Sequence, residues 1–342
     1  MDRRVILRAS DGISLLPVCD RGEPRQMNQP AFSLNVLLRR ADARWRQIEA
    51  DRPDLTDAVT LQRALVQRIA GLTAAIEDSD WAPPNLEPTT IVKPLRGSHA
   101  LLHEHPVALP MSLLEPAFHD LCAILADSGA GDAARHIHDV VREQRLDATS
   151  LLNASLARRQ SNIRAGAVHL DLAPDLLWLV AELTVGPIAQ DFQRSTLTGD
   201  VDSAVRETLD AWGLGTCPAC GSWPALGESL HGDVTLRCSF CGGGWNLPTP
   251  ACCPYCLSPG VLHNPASSDQ PERQLLSCEA CCGYLKVVGV TEPIPFVLLP
   301  IEDLATTALD VDAMARNLVR PPLPEMAAKP PDDECQDTST AD

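Results

Sequence analysis

Four Cys-x-x-Cys pairs stand in order between residues 217 and 281: CPAC (Cys217, Cys220), CSFC (Cys238, Cys241), CPYC (Cys253, Cys256) and CEAC (Cys278, Cys281). Seventeen residues separate the first two pairs and 21 the last two, close to the interval found in tetrathiolate metal sites. A Cys-x-x-Cys turn aims both sulfurs at one point, and backbone N–H groups of the turn can donate to the thiolates and spread their charge. Eight thiolates make two four-ligand sites. Sequential pairing gives one site from Cys217, Cys220, Cys238 and Cys241 and another from Cys253, Cys256, Cys278 and Cys281; interleaving the pairs is the other arrangement that the spacing allows. Each module, on the order of 40 residues, is too small for a conventional core, whereas a tetrathiolate ion supplies roughly 10–16 kcal/mol in small zinc peptides. The ion stands in for the core. A closed four-sulfur site leaves no coordination position open for catalysis, so the sites read first as staples. Gly221 and Gly242 follow their knuckles directly and Gly283 follows one residue late, where freedom in φ is useful; the third knuckle is followed by Leu257 instead.

The chain has 13 cysteines in 342 residues, and only Cys19, Cys122 and Cys335 lie outside the cluster. A secreted disulfide scaffold is usually short and spreads its cysteines along the chain. The first 30 residues hold no apolar stretch of signal-peptide length and read as a disordered leader. No run approaches the 18 or so apolar residues of a membrane span. A reducing cytoplasm is the simplest compartment for so many thiols.

Residues 31–213 read as a helical domain. Leu61, Leu65, Ile69 and Leu72 form one apolar stripe, and Leu114, Phe118, Leu121 and Leu125 form a second. Further helices are expected over Asp132–Arg145 with Asp132 as cap, Ala148–Arg164, Pro174–Leu183 and Pro187–Trp212, with Pro174 and Pro187 at first helical positions. The proline-containing stretch from Ala82 to Pro94 reads as a long loop. After Gly213 the character changes to Gly, Pro, Ser and Cys clusters around short strand-like runs at Val234–Arg237, Tyr284–Val290 and Phe296–Leu299. The expected fold is a mainly α-helical N-terminal domain followed by two small zinc-ribbon-like tetracysteine modules, α+β overall. The modules cover 214–248 and 249–300, a C-terminal helix lies within 301–320 (Glu302–Leu318), and 321–342 form an acidic tail.

Net charge is −17, and residues 214–300 carry three basic against six acidic side chains. Two divalent ions in eight thiolates would add a further −4. A nucleic-acid binder would show the opposite sign. No Gly-x-Gly-x-x-Gly, P-loop, Gly-x-Ser-x-Gly or His-Glu-x-x-His motif is present. The pairs His103 with His105 and His136 with His138 look like metal half-motifs, but i, i+2 on a helix turns the rings apart. Cys252 and Cys282 each adjoin a ligand and read as redundant or packing residues, with an alternative choice of ligand or a redox thiol as the other readings. Trp223, Trp245 and Tyr284 are expected to pack over the modules, with a partner surface as the alternative. Cys217→Ser or Cys278→Ser should unfold its module, whereas Cys122→Ser and Cys335→Ser should be nearly silent.

The ordered string CPACGSWP (Cys217 to Pro224), LRCSFC followed by Trp245, CPYC, CEACCGYLKV (Cys278 to Val287) and EDLATTALD (Glu302 to Asp310) resembles the formate dehydrogenase accessory protein FdhE family. The resemblance covers roughly 110 residues; Asn246, the following LPTP, Cys252 and Cys282 depart from it. It implies a helical domain with two rubredoxin-like modules and two bound metal ions, iron by resemblance, although zinc suits the same thiolates. It further implies a cytoplasmic, non-enzymatic maturation factor, which binds the immature catalytic subunit of respiratory formate dehydrogenase and is required for its activity, before export through the twin-arginine pathway. The alternative is a rubredoxin-like redox protein passing electrons, sulfur or thiol equivalents.

Overall fold

The computed structural model describes residues 33–247, 252–258, 262–263 and 272–321. The leader expected over 1–30 and the tail beyond residue 321, with Cys19 and Cys335, lie outside the described residues. A helical region is followed by a small mixed sheet that carries both cysteine clusters.

The helices are α1 (Leu34–Asp51), α2 (Thr56–Glu77), α3 (Pro88–Arg96), α4 (Leu101–Glu104), α5 (Met111–Leu125), α6 (Gly131–Arg142), α7 (Ala148–Leu156), α8 (Gln160–His169), α9 (Pro174–Leu197) and α10 (Ser203–Asp210). The stripe Leu114, Phe118, Leu121 and Leu125 is fully buried on α5, while Leu61, Leu65 and Ile69 of α2 pack half-buried against the same core beside buried Leu72. Helix α9 is buried on nearly all sides, by Leu177, Val180, Ala181, Val185, Ile188, Ala189 and Phe192 among others, as befits the central member of a bundle.

Several boundaries differ from the sequence expectation. Pro187 lies inside α9 and does not begin a new helix. It removes one N–H from the ladder, and burial around it outweighs that loss; the chain breaks instead after Leu197, and Asp202 caps α10 by accepting from Ala204 N–H. The expected loop from Ala82 to Pro94 ends early, because Pro88 opens α3 and Ile91 and Leu95 bury one face of it. Ala148–Arg164 splits into α7 and α8 at Arg158, whose φ is +57°. Gly131 opens α6; Asp132 lies in its first turn and caps nothing.

Beyond the helices the described residues form six strands: β1 (Leu226–Leu230), β2 (Asp233–Arg237), β3 (Gly244–Asn246), β4 (Leu262–His263), β5 (Arg273–Cys278) and β6 (Tyr284–Gly289). They form one sheet in the order β3-β2-β1-β6-β5-β4, antiparallel except for the parallel junction of β1 with β6, where Gly227 faces Val287. The two knuckle pairs thus flank one continuous sheet. Phe296–Leu298 is a 3-10 turn and not a strand, and the expected last helix divides into α11 (Leu299–Ala305) and α12 (Thr307–Ala315). Thr306 lies at the division, its hydroxyl donating back to the carbonyls of Glu302 and Asp303.

Buried ion pairs lock the sheet to the C-terminal segment. Glu228 of β1 and Arg237 of β2 pair at 0% and 1% exposure, and together they hold the backbone N–H and C=O of Ile294. Lys286 of β6, at 0% exposure, reaches Asp303 and Asp310 at 2.7 Å each, and Tyr284 donates to Asp310 at 2.8 Å. Asp303 and Asp310 of the EDLATTALD segment therefore neutralise a buried lysine.

Candidate metal centres

All four knuckles use one hydrogen-bond frame. The first cysteine's N–H donates to the carbonyl five residues on: Cys217 to Ser222 at 2.8 Å, Cys238 to Gly243 at 2.9 Å, Cys253 to Ser258 at 3.3 Å and Cys278 to Gly283 at 2.9 Å. In the first three, the N–H of the residue after the second cysteine closes back on the first cysteine's carbonyl, from Gly221, Gly242 and Leu257 at 2.8 to 3.0 Å. That corner has positive φ in every knuckle, +78° at Gly221, +76° at Gly242, +57° at Leu257 and +54° at Cys282. Cys282, rather than Gly283, thus occupies the fourth corner.

The turns bring Cys217, Cys220, Cys238 and Cys241 together, and separately Cys253, Cys256, Cys278 and Cys281, with the four sulfurs of each group within 4.8 Å of one another. This is the sequential and not the interleaved grouping. The sulfur separations are 3.5 Å for Cys217–Cys241, 3.6 Å for Cys220–Cys238, 3.7 Å for Cys253–Cys281 and 3.8 Å for Cys256–Cys278. Tetrahedral coordination with metal–sulfur bonds of about 2.3 Å spaces sulfurs about 3.8 Å apart, whereas a disulfide needs about 2.05 Å. Donor chemistry and spacing fit a tetrathiolate ion in both places.

The first cluster is sealed. All four cysteines show 0% exposure. The start of α4 covers its first knuckle, Leu101 and Leu102 donating their N–H groups to the carbonyls of Pro218 and Ala219 at 3.0 and 2.9 Å. Arg158, the break between α7 and α8, is buried beside this cluster with its guanidinium 4.0 Å from the Phe240 ring and 4.6 Å from that of Trp178. One nitrogen reaches Glu182 at 3.2 Å, while Nε and Nη1 have no hydrogen-bond partner. A buried guanidinium left so poorly paired fits a neighbour that is a dianionic tetrathiolate. Burial and neighbouring thiols push Cys217 and Cys241 up; at Cys220 burial is outweighed by hydrogen bonds from the other three thiols and by Arg158. Arg158 left no sequence signal, being one arginine of an Arg-Arg-Gln stretch inside an apparent helix.

The second cluster is more open. Cys253 and Cys278 are buried, Cys281 is half-buried and Cys256 is exposed. Burial pushes Cys281 up to about 12; it also opposes ionisation of Cys256, but hydrogen bonds from Ser258 outweigh it and bring that thiol down to about 7. The third knuckle abuts the first module, since a Cβ on Gly215 would stand 1.7 Å from the carbonyl oxygen of Pro254. Trp223 meets Tyr255 edge-on at 5.4 Å, and Tyr255 donates to the carbonyl of Tyr284 at 2.9 Å. Cys252 and Cys282 are half-buried beside the cluster and belong to neither group of four. Neither histidine pair joins a cluster among the described residues. His103 instead packs against Gly221, its buried Nε2 unpartnered, and burial lowers its pKa.

A helical region followed by one sheet that mounts two tetracysteine clusters places the chain in the class of tetracysteine scaffolds able to hold metal ions. Within that class the fold is the one in the crystal structure of the FdhE protein from Pseudomonas aeruginosa, which aligns over 88% of this chain and 98% of that one with a TM-score of 0.52 at 22% identity. A curated relative described as a Protein FdhE homolog, from Shewanella oneidensis, is 30% identical over 104 residues, 29% of this chain. The matched region spans about a third of that relative's length (34%). No family model matches the chain. The resemblance to FdhE proteins is thus met by a sequence likeness to one FdhE homolog over part of its length and by a likeness of fold to another FdhE protein.

Proposed function

We propose that the chain is a non-enzymatic maturation factor for a respiratory formate dehydrogenase, binding the immature catalytic subunit in the cytoplasm. The observation that carries this reading is the pair of tetracysteine clusters on an FdhE-like fold. Cys217, Cys220, Cys238 and Cys241 hold one ion, and Cys253, Cys256, Cys278 and Cys281 hold the other. Each ion, iron by resemblance, supplies cross-linking of two turns that have little core of their own. The helical domain over 31–213 and the modules over 214–248 and 249–300 act as one docking body. Rubredoxin-like redox chemistry is the second reading, favoured by the exposure of Cys256.

Anaerobic affinity purification tests the first reading. Tagged protein is expected to carry two ions and to retain the formate dehydrogenase catalytic subunit, and Cys217→Ser to lose both its ion and the subunit. Wild-type protein that retains no subunit, in cells whose formate oxidation is untouched by deletion of the gene, defeats it. For the redox reading, an anaerobic spectrum unchanged by dithionite, with zinc as the metal found, removes electron transfer.

A further inference from the structure

The two clusters share donor set, spacing and turn frame, yet they differ in two independent ways. The first is access: Cys217, Cys220, Cys238 and Cys241 are all at 0% exposure beneath α4 and α9, whereas Cys256 faces solvent and Cys281 is half-buried. The second is the residue at the positive-φ corner. Glycine holds that conformation without cost, as Gly221 and Gly242 do in the first cluster; Leu257 and Cys282 hold it in the second, where a Cβ crowds the following carbonyl.

Resting on the reading of both clusters as metal sites, we propose that the second cluster is an exchangeable centre that gives up and takes back its ion through Cys256, while the first keeps its ion. The strain at Leu257 and Cys282 exists only while the turns are held in place. Departure of the ion lets both residues return to negative φ and swings the paired thiols apart, so strain favours departure. Gly221 and Gly242 gain nothing by the same movement.

Exposure supplies the path. An external thiol places its sulfur on the ion as the Cys256 sulfur leaves, and its proton passes to Cys256. The ion keeps four sulfur ligands and the same charge, and no electrons change hands. Half-buried Cys281 leaves by the same step, and the two buried thiolates, Cys253 and Cys278, are then displaced in turn by two more incoming thiols whose protons they take, leaving the ion with four acceptor sulfurs. The acceptor class is a soft thiolate ligand, such as a small thiol or a cysteine-bearing partner segment.

The full chain, isolated anaerobically with its ions, is mixed with glutathione and excess 4-(2-pyridylazo)resorcinol, and aliquots are pulsed with N-ethylmaleimide for peptide mass spectrometry. The expected result is one equivalent of metal released at least about tenfold faster than the second, with Cys256 and Cys281 alkylated in the fast phase and Cys217, Cys220, Cys238 and Cys241 protected. Leu257→Gly, which removes strain and loses little packing at an exposed site, should slow the fast phase about fivefold and leave the slow one alone. Two ions leaving at a single rate, first-cluster cysteines labelled first, or a fast phase indifferent to Leu257→Gly would each overturn the proposal while the metal reading stands. A chain isolated with no bound ion overturns both.

Discussion

Cys122 lies at 1% exposure among the apolar residues of α5, and burial pushes its thiol up to about 12. It is a small hydrophobe filling the bundle. Cys122→Ser, nearly silent on the sequence reading, therefore carries a cost: the hydroxyl enters an apolar core and loses its water. A loss of about 1–3 kcal/mol is expected, and a lower urea midpoint at unchanged slope would show it. The eight clustered cysteines were legible because their spacing is itself the geometric requirement. Arg158 and Cys122 were not. Their roles depend on which helices pack against them, and a single sequence holds no periodic trace of that.

At the scale of elements, helices with one clean apolar stripe could be read directly, as α5 shows. Those whose limits are set by neighbours could not. Pro187 reads as a helix start, yet α9 runs through it because its whole circumference is buried; α3 hides in a stretch whose prolines suggest a loop. The strands were partly legible, since Val234–Arg237 and Tyr284–Gly289 are rich in β-branched and apolar residues, whereas β1 and β5 owe their state to pairing partners. One close approach between modules was invisible in sequence. Gly215→Ala would drive a methyl group into the Pro254 carbonyl, which stands 1.7 Å from the site of that carbon. The third knuckle must move, at a cost of about 1–3 kcal/mol or more. The expected outcome is a lower thermal midpoint with faster alkylation of Cys256; wild-type values for both would mean that the contact is dispensable.

The molecule as a whole is acidic, at −17, but part of that charge is internal furniture. Asp303 is held below the usual carboxylate range: burial opposes its ionisation, and the Lys286 ammonium and Arg320 guanidinium outweigh burial. With the folded value below the unfolded one of about 3.9, its stabilisation is complete above that pH and is lost as pH falls through the folded value. Hydrogen-exchange protection of α11 should accordingly hold near neutrality and fade below about pH 4. Asp303→Asn should weaken protection at neutral pH and flatten the acid dependence; a variant with the wild-type profile would show that the pair does not hold α11.

The first described helix closes on the last part of the fold. Trp45 of α1 packs in one cluster with Leu298, Leu299 and Ile301, Arg44 grips Glu302 with two bonds of 2.7 Å across 258 positions, and Gln62 of α2 donates to the Pro300 carbonyl. At about 5–20 residues per second a ribosome takes on the order of 13–50 s to make the stretch between Arg44 and Glu302. Throughout that interval the nascent α1 has α2 to settle on, through Val59, Val66 and the Trp45 bond to Gln62 at 2.8 Å, but lacks the C-terminal side of its seat. All four Cys-x-x-Cys turns are translated before the segment that clasps α1, so the order of synthesis lets the cysteine turns form before the clasp shuts.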